Sequence, residues 1–170
     1  GCIIMQASVN GLGSGYVASV AAGSKVNQLF CCPFDALGST MVTYGGQNVG
    51  AGKLDRIGQG VKSCVWIGFS YAAVAFGILF FLGGYLVQAF VDASEAETIS
   101  NAALYLKFNS SSYTLLVLVN VLRFLIQGLG FTKQAVFAGV FEMAARATVG
   151  MVLVPAFGYP AACLSDPAAW

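Results

Sequence analysis

Residues 65–90 read VWIGFSYAAVAFGILFFLGGYLVQAF, 26 consecutive positions without one formal charge. About 20 mostly apolar residues suffice for a helix to cross the hydrocarbon core of a bilayer. The remainder of the chain is of the same kind. Of its 170 residues 58% are hydrophobic and only 9% charged, with a mean hydropathy of +0.78, where a soluble domain carries about a quarter charged residues. A soluble domain with a very apolar core is the weaker alternative. The composition points to an all-α integral membrane protein, a polytopic helical bundle whose main partner is the lipid bilayer.

Several chemistries drop out at once. A net charge of +1 implies no nucleic-acid partner. There is no His and no phosphate-cradling loop. Cys2, Cys31, Cys32, Cys64 and Cys163 form no C-x-x-C pair, so neither a metal site, nor a redox motif, nor a cofactor is expected, and in apolar helices a thiol serves as a small hydrophobe. Nothing suggests an enzyme. The chain opens at Gly1 without a charged leader region and closes in PAAW, and a longer parent protein is the expectation.

The order of polar breaks divides the chain. Residues 1–10, GCIIMQASVN, are too short to span and read as the end of a helix, broken by GLGSG. Full spans are expected over about 17–50, 61–90, 104–128 and 133–155, with the start of a last helix over 161–170. Pro33 lies inside the first span, where it removes a backbone hydrogen bond and kinks the helix, which bilayers tolerate when neighbours satisfy the freed groups. Basic residues in short loops set orientation. Lys53, Arg56 and Lys62 stand against a single Asp55 and belong in the cytoplasm. Asp92, Glu95 and Glu97 then lie outside, Lys133 returns to the cytoplasm, and FGYPA is outside again.

Charges within the spans are costly and face a bundle interior or a wet cavity. In FAGVFEMAARATVG, Glu142 and Arg146 stand i,i+4 and share a helix face. Counted from Lys133 at about 1.5 Å per residue, Glu142 lies roughly 14 Å deep in a core about 30 Å thick, so the pair either locks helices together or walls a transport cavity. Asn120, Arg123 and Gln127 form a second stripe, and Arg123 is close enough to the GLGFTK turn to snorkel to the cytoplasmic surface instead. Asp35 follows the kinking Pro33 and has no partner in its own helix. It must find one across helices or titrate, which makes it a proton or cation candidate. Ser39, Thr43 and Gln47 continue from it at i+4 steps.

These stretches have a familiar order. PFDALGSTMVTYGGQNVGAGKLDRI, with Gln47 and Asn48 opening its Gln-Asn-x-Gly-Ala-Gly end, resembles the second helix of a six-helix lobe in the multidrug and toxic compound extrusion (MATE) transporters. VLRFLIQGLGFT resembles the helix of that lobe ending in Gln-Gly-x-Gly, and AGVFEMAARATVGMVLVPAFGYPAACLSDPAAW the next helix and the start of the last. The details are most similar to the C-terminal lobe of bacterial members. The resemblance implies part of a secondary antiporter of the bacterial inner membrane. It implies export of small amphipathic or cationic compounds in exchange for Na⁺ or H⁺, against an N-terminal lobe not contained in this chain. Asp35, Gln47, Asn48, Asn120, Arg123, Gln127, Glu142 and Arg146 become its pathway candidates. Some branches carry coupling acids on the seventh and tenth helices; here the matching positions show Gln6, Asn120 and Arg123 and no carboxylate. Other branches place the coupling carboxylate in the N-terminal lobe. Two competing functions are a lipid-linked precursor flippase of the same superfamily and a non-transporting membrane scaffold subunit.

The charge asymmetry predicts that a cysteine placed at Glu95 is labelled from outside intact cells. Labelling only after permeabilisation would reverse the topology.

Overall fold

A computed structural model describes residues 9–11, 13–92 and 95–169, and these are helical with short turns and no strand. The helix end expected over 1–10, including Gln6, lies almost wholly outside the described residues. Helix α1 (Ser14–Gly50) is followed by α2 (Leu54–Val87), α3 (Ala96–Ser111), α4 (Tyr113–Gly128) and α5 (Thr132–Thr148). A π-helical segment, Val149–Leu153, joins α5 to α6 (Val154–Phe157); α7 (Tyr159–Cys163) and a 3₁₀ turn, Pro167–Ala169, complete the chain.

Two helical stretches, Leu54–Val87 and Thr132–Phe157, are long and apolar enough to cross a membrane. The pair α3–α4, bent by 52°, makes a third if it counts as one span. The stretch read as one span over 104–128 is therefore longer and broken. The break falls in a serine run: Ser110 and Ser111 turn their hydroxyls onto the carbonyls of Lys107 and Phe108, the local competition that bends helices. Helix α1 has 37 residues, ample length, but Ser, Asn, Gln, Lys25 and Asp35 dilute its apolar content below that of the other spans. The loop that carries the basic residues is also shorter than expected. Helix α2 begins at Leu54 and takes in Asp55 in its first turn, where a carboxylate suits the positive end of the helix dipole.

Both internal prolines have visible accommodations. Next to the carbonyl that Pro33 deprives of its helical donor, Tyr71 donates its hydroxyl to the Phe30 carbonyl at 3.1 Å. Before Pro155 the helix widens, and the Val154 N–H bonds back five residues to the Val149 carbonyl, a π turn that makes room for the ring. Gly158, at φ 68°, then ends the helix in a conformation side chains rarely adopt.

Packing centres on α1, which contacts α2, α3 and α4. Phe34, Tyr71 and Tyr113 make edge-on ring contacts at 5.1 and 5.2 Å beside the kink. Further along, α1 and α4 close until backbones touch. A Cβ added to Gly128 would lie 2.8 Å from the Val42 Cα and closer still to its carbonyl oxygen, and one on Gly45 would lie 2.8 Å from Leu125. Small residues permit such approach between membrane helices. Helix α5 differs: Ala135 is its one buried residue, and Phe137 and Phe141 are exposed, as a lipid-facing helix requires.

Gly128→Leu should therefore destabilise the detergent-solubilised protein by about 1–3 kcal/mol. Gly77→Ala, in open space on α2, should be neutral or stabilising by about 0.5–1 kcal/mol. Thermal melts of both variants check the contrast.

Candidate functional site

Where α1, α3, α4 and α5 fail to meet, a cavity of about 580 Å³ remains. Its polar wall comes from four elements and the turn after α7. Helix α1 contributes Ser24, Asn27, Gln28 and Asp35, and α4 contributes Asn120, Arg123 and Gln127. The expected α4 stripe thus shares one face, and that face lines the cavity. Helix α5 adds Glu142 and Arg146, α3 adds Tyr105, and Asp166 closes the end.

The charges form a ladder. Arg123 donates from Nη1 to Glu142 Oε2 at 2.8 Å, and Arg146 donates from Nη2 to Glu142 Oε1 at 2.9 Å. The same Arg146 Nη2 lies 3.4 Å from Asp166 Oδ1. Asp166 Oδ2 accepts the Tyr105 hydroxyl at 2.8 Å, and Ser24 donates to the Tyr105 oxygen at 3.3 Å. The i,i+4 pair within α5 is present, but it is the middle rung of a longer series. Arg123 turns its guanidinium inward rather than toward the GLGFTK turn, because a carboxylate within reach outweighs a longer path to water. Asp35 has found its partner across helices: Asn120 donates Nδ2 to its Oδ1 at 3.2 Å.

Two candidates lie elsewhere. Gln47 is exposed and shares a shallow groove with Ser39, Thr40, Thr43 and Tyr44, so the i+4 stripe does line a surface, away from the charges. Asn48 is buried, with its Nδ2 donating to the Tyr44 carbonyl at 2.8 Å, a cap-like bond near the end of α1. Asp166 and Tyr105 were not among the expected site residues. Asp166 sits between turn residues in LSDPAAW, which reads as a loop, and Tyr105 reads as an interface aromatic.

The matches with known proteins bear on the family and the fold. The MatE family profile matches residues 2–152. Two solved structures superpose with a TM-score of 0.89 each, at 15% identity over 99% of this chain. One is a MOP superfamily transporter from Pyrococcus furiosus described as having a binding pocket of reversed polarity; the other is an outward-facing multidrug resistance MATE family transporter of the MOP superfamily. This chain spans 37% of the length of each. No curated protein matches.

The ladder makes unequal demands on its members. Arg146→Gln leaves Glu142 with Arg123 and Asp166 with Tyr105. Glu142→Gln removes the sole carboxylate that Arg123 contacts among the described residues. The Glu142 side chain is 25% exposed, so the loss is set below that of a fully buried pair, at about 1–3 kcal/mol. Glu142→Gln should destabilise more than Arg146→Gln, and adding Arg123→Gln to Glu142→Gln should recover much of the loss. Detergent thermal melts in the full-length protein measure all three, and equal wild-type stability in both single variants would mean the ladder carries no net stabilisation.

Proposed function

Because the chain belongs to the MatE family, we propose that it forms part of one lobe of a secondary transporter of the bacterial inner membrane. The transporter exports small amphipathic cations in exchange for Na⁺ or H⁺. The rest of the parent protein supplies a facing lobe, and the cavity bounded by α1, α4 and α5 is this lobe's share of the substrate path.

The observation that carries the reading is the cavity's charge. Asp35, Glu142 and Asp166 stand against Arg123 and Arg146. Glu142 and Asp166 occupy both guanidiniums, and the remaining carboxylate, Asp35, is met by an amide. One formal negative charge is left in excess in a cavity lined by polar side chains between membrane helices, a balance that favours a cation. A flippase for a phosphorylated lipid precursor would call for free positive charge, and both arginines are already neutralised. A purely structural scaffold has no use for an open cavity between its helices. Asp35 is also the carboxylate of the cavity that makes no ion pair among the described residues, which makes it the candidate to meet a coupling Na⁺ or H⁺.

The test is efflux by the full-length protein with Asp35→Asn. Efflux of a lipophilic monocation such as ethidium should fall about tenfold or more, while the protein stays inserted and folded. Wild-type ethidium efflux from the variant would remove Asp35 and the excess-charge argument with it. Expressed alone, residues 1–170 should give the efflux of empty vector, because the path needs the facing lobe.

A further inference from the structure

We propose that Asp166 is a positioning residue for the cavity, holding α5 against the bundle through Arg146. The inference rests on the transport reading for its meaning, but its geometry stands apart. Helix α5 buries almost nothing of its own, so packing does not fix the wall it forms. Two polar arms do. The first, Arg123 to Glu142, ties α5 to α4. The second runs from Arg146 through Asp166 to Tyr105 on α3 and Ser24 on α1. Without Asp166, the second arm has no link between α5 and the far side of the cavity.

The geometry of Arg146 fits a held group rather than a locked one. Both of its ionic contacts use Nη2, and its buried Nε has no hydrogen-bond partner. A guanidinium gripped as a fork would use two parallel N–H groups on one carboxylate. End-on contact leaves Arg146 free to turn about its long side chain unless Asp166 fixes it. Below the clamp, the π turn ahead of Pro155 and the break at Gly158 are the points at which α5 can swing, since sharp bends in helices localise at such irregularities. Asp166 lies past that break, and its second oxygen is held by Tyr105, so the turn after α7 is tied to α3 and α5 leans on it.

Cys31 is a native reporter of this wall, because it lines the cavity from α1 and is only partly exposed. In the full-length protein with Cys32→Ser, the rate of Cys31 modification by a small methanethiosulfonate reagent is followed by mass spectrometry. Asp166→Asn should raise that rate about tenfold as the wall opens more often, and Asp166→Glu, which restores the carboxylate, should stay within about twofold of wild type. Cys64, buried in α2, must remain unmodified as the sign of an intact fold. Should Asp166→Asn also expose Cys64, Tyr105→Phe takes its place, since it removes only the hydroxyl that orients Asp166, and it should raise the rate about threefold. An unchanged Cys31 rate in the folded Asn or Phe variant, or a Glu variant as fast as the Asn one, overturns the proposal. The labelling needs no transport, so a failure of the efflux reading leaves this result standing and the reverse.

Discussion

Backbone contact between α1 and α4 sets the register of everything around the cavity. Val42 and Gly128 meet with no side chain between them. The two helices run in the same direction, and their partners keep nearly one offset along the shared length: Asn27 with Tyr113, Asp35 with Asn120, Gly38 with Phe124, Val42 with Gly128. A side chain at Gly128 would push the helices apart at one end and break that alignment at the other. Asp35 would then lose Asn120, and the α4 stripe would no longer look across at α1. The glycine contact and the polar site are therefore one construction.

The cavity exists because the fourth wall is built differently from the other three. Helices α1, α3 and α4 are held by buried apolar groups, Phe34 against Tyr113 and Leu106 and Val117 against Gly83 and Gly68 of α2. Helix α5 is apolar toward the outside and polar toward the cavity, so in lipid its outer face has nothing to gain from burial against protein. What holds it is charge, and charge acts at a few points and leaves space between them. The π segment and Pro155 below it keep the helix continuous while letting its axis depart from a straight line.

Much of this was legible in the residues. Long uncharged runs gave helices of membrane-spanning length, and i,i+4 and i,i+3 spacing placed Glu142 with Arg146 and Asn120 with Arg123 and Gln127. Spacing along one helix cannot report distances between helices. That is why Arg123 read equally well as a surface anchor, and why Asp35 read as unpartnered. The bend at Ser112 was hidden because serines are ordinary residues at membrane-helix interfaces and only their hydrogen bonds reveal a break. Asp166 was hidden for a different reason: in a turn followed by proline, an acid looks like solvent-facing punctuation. Gln47 and Asn48 part in the fold. They stand together in a recognisable motif, yet one is exposed in a separate groove and the other serves its own helix.

The ladder also bears on why a membrane protein would hold four charged side chains so close together. A single buried ion pair is weak support for stability, because desolvating both partners costs about as much as their attraction returns. Extending the pair changes the balance. Glu142 serves two guanidiniums and Arg146 serves two carboxylates, so the two inner groups are each compensated twice, and four desolvated groups share three ion pairs where a lone pair has one between two. The series also ends on neutral hydroxyls, Tyr105 and Ser24, which spread the terminal charge without adding another. Asp35 stands outside this arrangement, met by the Asn120 amide. A lobe that moves must break and remake its contacts without stranding a charge in lipid. Shared partners allow that, since a group released by one neighbour is still held by the next.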